Sequence, residues 1–318
     1  MPTDFHAVGL PGTFSASSEA TPATSVAFTE GPAAARDGSV YFSDIANNRI
    51  LRFCPNTGAH AVWRTPSGRA NGLLFDPQER LLVCEGNEMG DNDGGRRVTR
   101  TDLKTGALTV LTDTFAGCRY NAPNDICACS NGSIFFTDPC YGDRSTMETE
   151  HESVYRIAAD GSVTRAISQP DIQRPNGIAL SPDETVLYVV DSCPTTGGNR
   201  KIWSFDLHSD GRLSNQKTVI DFAPGRGGDG MAVDQEGTLY IAAGIHRPRG
   251  PHETATVPPG IWIVGPDGDL RGRIPIPEDV LTNVTFGGPE LKTLYVTAGK
   301  TLYQVPVPIA GCVIHRRA

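Results

Sequence analysis

Short apolar runs of four to six residues alternate along the chain with clusters of Gly, Pro, Asn, Asp and Ser, and no useful length carries the 3.6-residue period of an amphipathic helix. The clearest unit is Arg174–Asp191, RPNGIALSPDETVLYVVD. It opens on Asn-Gly, runs through Ile178-Ala179-Leu180, turns at Ser181-Pro182-Asp183-Glu184, and continues as Val186–Val190 until Asp191. The pattern predicts two antiparallel strands joined by a tight turn.

The second run of that unit recurs at 37–44, 79–86, 131–138, 236–243 and 291–298, with central residues Tyr41, Val83, Phe135, Tyr240 and Tyr295 beside Tyr188. Successive centres lie 42 to 55 residues apart. Matching first runs stand at 71–77, 124–130, 176–182, 229–235 and 283–289, third runs at Asn48–Phe53, Ser153–Ile157 and Lys201–Phe205, and a fourth is suggested by Gly161–Arg165. Four short strands repeated at such a period are the signature of a propeller blade. The prediction is an all-β fold, a six-bladed β-propeller with four antiparallel strands per blade. Its blades occupy about 26 to 308, within one domain at 26–318 that follows a loosely held arm at 1–25. A sandwich or barrel would not explain six copies at near-equal spacing, and the lack of helical pattern argues against βαβ units.

Composition narrows the function. The 318 residues carry a formal net charge of −8, which gives no electrostatic reason to expect nucleic acid or an anionic membrane as partner. No apolar run approaches the length of a membrane span, about 20 residues. Met1–Ser25 has neither a basic start nor an apolar centre, so a cytoplasmic protein is expected. The eight cysteines contain no CxxC pair and read as reduced, mostly packed thiols, with a Cys118–Cys140 bridge left open. Trp63, Trp203 and Trp262 sit in strand-like runs and read as inter-sheet packing. Monomer and homodimer both remain compatible with propeller faces.

In a propeller the first strand of each blade lines the central channel, so the residues that start those strands crowd one mouth. Here they are Glu30-Gly31, Asn71-Gly72, Asn124-Asp125, Asn176-Gly177, Asp229-Gly230 and Asn283. Any one Asn-Gly or Asp-Gly is an ordinary turn dipeptide. Turn chemistry, however, does not require Glu30 in the corresponding place. Side-chain oxygens converging with no lysine among them would repel one another unless a cation sat between them. Carboxylates mixed with neutral amides suit a hard ion, Ca²⁺ first, with Mg²⁺, Mn²⁺ or Zn²⁺ conceivable.

Other signals carry less. Gly225–Gly230 matches G-x-G-x-x-G but precedes a strand rather than a helix, so it lacks the helix N-terminus that would hold a pyrophosphate. His151-Glu152 and His252-Glu253 do not continue to HExxH, and no G-x-S-x-G elbow is present. Asp91-Asn92-Asp93-Gly94 opens like a calcium loop but lacks the distal glutamate and reads as a polar turn. The inserts Cys140–Glu152 and Gly244–Gly260 are expected to overhang the channel mouth, with His246 and His252 as solvent-exposed loop residues.

Together, Thr29-Glu30-Gly31-Pro32, Asn121-Ala122-Pro123-Asn124-Asp125, Arg174-Pro175-Asn176-Gly177, Gly228-Asp229-Gly230-Met231 and Leu281-Thr282-Asn283-Val284 resemble the motifs of the gluconolactonase / senescence-marker-protein (regucalcin)-like family of six-bladed propeller hydrolases. The resemblance covers nearly the whole chain after the arm. It implies a metal-dependent hydrolase that opens a sugar lactone, with Glu30, Asn124, Asn176 and Asp229 as ligands of one divalent cation. Asn71, Asn121 and Asn283 would line the pocket and Arg119 would contact substrate. By the same resemblance the cation polarises the carbonyl, and Asp229 is the candidate to orient or deprotonate the attacking water. Ala33-Ala34-Ala35 stands where the family usually has a large aromatic, a departure expected to alter the pocket's shape. Two other readings stay open: another lactonase or a phosphotriesterase on the same metal site, and a non-catalytic calcium-binding propeller.

Overall fold

The computed structural model describes residues 4, 7–9, 20–90 and 92–316. Six antiparallel four-stranded sheets stand in a ring, which makes a six-bladed propeller. The innermost strands are Thr29–Ala34, Ala70–Phe75, Ile126–Ala128, Pro175–Leu180, Gly228–Val233 and Leu281–Gly287. Each touches the innermost strands of the blades on either side, and the sixth returns to the first.

The repeated apolar runs become second strands because each blade is covered on both faces. In Val186–Ser192, Tyr188 pairs with Ala179 on one side and Ser204 on the other. Its apolar side chains then face alternately toward neighbouring blades. Tyr188 and Val190 pack with Met231, Ile241 and Trp262 of blade five, whereas Leu187 and Val189 join Cys127, Cys129 and Phe135 of blade three. Burying such a side chain is worth about 1.5–3 kcal/mol, so the ring is held chiefly by blade-to-blade contact. Ala33 and Ala34 belong to this packing, beside Tyr41 and Leu73 on one face and Phe42 and Tyr295 on the other. The expected effect of that alanine run on the pocket is corrected accordingly.

The expected loose arm is corrected over Thr21–Ser25, most of residues 1–19 lying outside the described residues. Thr21–Ser25 forms the outer strand of blade six, pairing with Thr301–Pro306 from Thr21↔Gln304 to Ser25↔Thr301. Without it that edge would present unpaired backbone groups. The pattern concealed this because outer strands lie largely outside the core, as the exposed start of Ala59–Arg64 also shows.

At the other terminus the tail seals the far end of the channel. Cys312 N–H donates to Val233 O at 2.9 Å, and residues 312–314 line the channel with Ala128, Leu180, Val233 and Phe286. All eight cysteines are free thiols, so Cys118 and Cys140 are not bridged. No helix among the described residues is long and apolar enough to cross a membrane.

Candidate active site

The polar residues that start the inner strands lie in bulged strands, and this is what aims their side chains. Strand register slips between Glu30 and Ala33, Ala70 and Leu73, Pro175 and Ile178, Gly228 and Met231, and Leu281 and Asn283. Blade three does the equivalent just ahead of its strand, where Asn124 N–H donates to Thr137 O at 2.8 Å and Thr137 N–H returns to Asp125 O at 3.0 Å. A bulge bends the strand and redirects one side chain, here toward the axis. The glycines that follow are needed for approach: a Cβ on Gly31, at φ +42°, would collide with the Asn71 carbonyl, and one on Gly177 with that of Asp229.

Five of the predicted residues meet. Glu30, Asn71, Asn124, Asn176 and Asp229 line one cavity of about 240 Å³. The remaining three do not join them. Asn283 lies in the channel below, where its Oδ1 accepts from Val284 N at 2.8 Å and its Nδ2 donates to Asp125 Oδ2 at 3.4 Å. Asn121 faces a neighbouring cavity and braces a loop, its Oδ1 accepting from the Thr149 hydroxyl at 2.9 Å. Arg119 sits in the exposed hairpin Thr114–Phe115/Cys118–Arg119, outside the cavity lining.

Burial, and next the charge of Asp229, push the Glu30 carboxyl well above the usual carboxylate range, although its Oε2 accepts from Gly31 N at 2.8 Å. Burial raises Asp229 as well, opposed by Arg226, Arg249 and a hydrogen bond with Asn176. Arg226 donates to Asp229 Oδ2 at 2.6 Å and to the Leu281 carbonyl at 2.9 Å, fixing the carboxylate across two blades. The site therefore concentrates negative charge in a poorly solvated place, which an added cation relieves.

The donors fit such an ion. Asn71 Oδ1 is buried with no hydrogen-bond partner among the described residues. No three His, Cys, Asp or Glu side chains there form a ligand cluster, so the two carboxylates would need amide oxygens beside them. An all-oxygen set of that kind suits Ca²⁺ or Mg²⁺ more than a thiophilic metal.

Outer residues orient this set. The aspartate that ends a second strand holds the backbone leading into its own blade's inner strand. Asp191 Oδ1 accepts from Arg174 N at 2.8 Å and its Oδ2 from Gln173 N at 3.0 Å. Asp138 does the same for Ala122 at 2.8 Å and Asn121 at 2.9 Å, and Asp44 for Phe28 at 3.2 Å. Asn176 Nδ2 donates to the Tyr141 hydroxyl at 2.9 Å. The Tyr141 ring lies under the Arg174 guanidinium at 5.2 Å, and Arg174 Nε donates to the buried Glu152 at 2.7 Å. Partners of this kind fix ligand orientation.

Tyr141, Glu88, Arg200, Arg226 and Arg249 also line the cavity and escaped the sequence reading. Arg226 lies inside the G-x-G-x-x-G stretch, and its role needed the three-residue offset to Asp229 to be weighed. The two inserts do reach the mouth, through Tyr141 and through Arg249 and Glu253, while His246 and His252 are exposed and outside the lining.

Residues 28–300 match the model of the SMP-30/gluconolactonase/LRE-like region. The gluconolactonase of Zymomonas mobilis is 30% identical over 317 residues, covering 91% of this chain and 81% of that protein. The 6-deoxy-6-sulfogluconolactonase of Pseudomonas putida is 30% identical, covering 89% and 88%. Among solved structures, a gluconolactonase from Xanthomonas campestris superposes with a TM-score of 0.75 at 29% identity, over 95% of this chain and 96% of that one. Regucalcin of Agrobacterium tumefaciens, a calcium-binding protein, shares the fold with a TM-score of 0.71 at 21% identity, over 91% and 93%. With its fold, its ring of bulged inner strands and a family match over most of its length, the chain belongs to the SMP-30/gluconolactonase/LRE-like family.

Proposed function

We propose that the protein is a hydrolase that opens a sugar lactone with the help of one divalent cation, Ca²⁺ in the first instance. The observation that carries this reading is the convergence of Glu30, Asn124, Asn176 and Asp229 in one cavity at the mouth of the channel. The lactonase relatives support the reaction class. The eight free thiols fit a reducing, cytoplasmic setting.

A cation held by those four side chains would supply Lewis-acid polarisation of the lactone carbonyl. Asp229 takes the proton of the attacking water as its oxygen bonds to the carbonyl carbon. It returns that proton to the ring oxygen as the C–O bond breaks, leaving a hydroxy acid. Arg226 opposes the burial that raises the Asp229 carboxyl and fixes its Oδ2, which leaves Oδ1 for the cation and the water's proton. Tyr141 holds Asn176 through the amide nitrogen, so that its oxygen stays available.

The test is acid release followed by pH-stat across aldonolactones, aromatic lactones and a phosphotriester, with and without chelator. The expected result is release from aldonolactones that chelation abolishes. No cation-dependent release from any compound would return the protein to a binding propeller.

A further inference from the structure

Between the second and third strands of blade two, Leu81–Glu85 and Arg97–Thr101, the chain makes a glycine-rich loop that folds back on itself. Arg96 N–H donates to Gly86 O at 3.2 Å, and Gly95 N–H to Gly68 O at 2.9 Å. A Cβ on Gly94 would collide with the Gly86 carbonyl, so only glycine closes the loop this tightly. Arg69 clamps Asp93 with two nitrogens, at 2.8 and 3.0 Å, and draws its carboxyl below the usual range. The calcium-loop resemblance thus resolves into an anchor for a turn, with Asp91 outside the described residues.

What this loop presents is Glu88. Its side chain lines the cavity shared by Glu30, Asn71 and Asp229, and it also borders the adjoining cavity of Asn121. Its Oε1 is buried with no hydrogen-bond partner among the described residues. The structural carboxylates of this end are provided for differently: Asp138 and Asp191 each accept two backbone N–H groups, and Glu152 takes two arginines. Burial, then the charge of Asp229, push the Glu88 carboxyl up to about 7, with Arg174 opposing. Nor does Glu88 form a three-carboxylate cluster with Glu30 and Asp229 that could hold the ion.

A buried acceptor left open beside a reaction site, and belonging neither to the frame nor to the ligand cluster, is built for donors that arrive with the substrate. We propose that Glu88 selects polyhydroxylated lactones by accepting hydrogen bonds from substrate hydroxyls. A lactone without hydroxyls, an aromatic lactone or a phosphotriester leaves this carboxylate buried and unpaired, and is rejected for that reason. The inference rests on the lactonase reading and adds the substrate class.

The experiment compares the full-length wild type, Glu88→Ala and Glu88→Gln, with Ca²⁺, on D-glucono-1,5-lactone and on δ-valerolactone, the same six-membered ester without hydroxyls. In Glu88→Ala, kcat/KM on gluconolactone should fall about tenfold or more, mostly through KM, while that on δ-valerolactone should rise, because no carboxylate is left unpaired against it. Glu88→Gln should lose less, because its amide oxygen still accepts. By calorimetry, D-gluconate binding should weaken in Glu88→Ala while Ca²⁺ affinity and Tm do not fall. An equal loss on both substrates, no loss on gluconolactone, or a drop in Ca²⁺ affinity or Tm would overturn the assignment. If the wild type opens δ-valerolactone or aromatic lactones but not gluconolactone, this inference fails and the lactonase reading survives. If it opens no lactone, both fail.

Discussion

Asp229 is the residue on which structure and chemistry meet most closely, because one of its carboxylate oxygens is already committed to Arg226. Asp229→Asn keeps the shape but would remove the base proposed above, so turnover at saturating cation should fall more than about tenfold, measured as initial acid release. Glu30→Gln removes charge without a comparable part in proton transfer. It should weaken cation affinity, read by calorimetric titration with Ca²⁺, and unchanged affinity would remove Glu30 from the ligand set. Glu152 tests the supporting shell. It is 1% exposed and takes Arg174, itself 9% exposed, at 2.7 Å. Glu152→Ala therefore leaves a buried cation unpaired and should cost about 3–5 kcal/mol in urea unfolding.

Among the elements, the strand Thr21–Ser25 joins the two ends of the chain in one sheet. Its four registered pairs with Thr301–Pro306 close blade six. Removing residues 1–25 forfeits those backbone bonds, at roughly 0.5–1.5 kcal/mol each, and exposes an edge. The truncated protein should melt roughly 5–10 °C lower and aggregate more readily, as calorimetry and light scattering would show. The inner strands make a different use of backbone. Five of them carry a bulge, and where the bulge meets a close approach between blades glycine is needed, as at Gly31 against the Asn71 and Gly72 backbone.

On the scale of the whole molecule, burial in the ring sets the cost of an empty site. Glu30 and Asp229 each push against the low-dielectric interior at the mouth of the channel. A cation bound there, Ca²⁺ on the function proposed above, would be linked to folding: at a hundredfold excess over Kd it should add about 2.7 kcal/mol. Thermal melts with Ca²⁺ and with chelator should differ by roughly 5 °C, and identical melts would argue against a cation site in the native ring.

The apolar period, written into short runs 42 to 55 residues apart, is a local property, and it sufficed for the blades, their strand order and the ends of the strands that carry Glu30, Asn124, Asn176 and Asp229. Strand periodicity places a side chain on a face, and repetition places it at the axis. Neither says how far a loop reaches. That is why Arg119 and Asn121, close in sequence to Asn124, fall outside the cavity, while Arg249 and Glu253 come in from a distant insert. The closing strand was hidden for a related reason: TPATS has no apolar face to announce, and its partner lies at the other end of the chain. Glu88 was illegible as well, because an open acceptor can be recognised only once every donor around it has been placed. Repetition is readable one residue at a time, whereas reach, closure and an unanswered hydrogen bond exist only between residues that folding brings together.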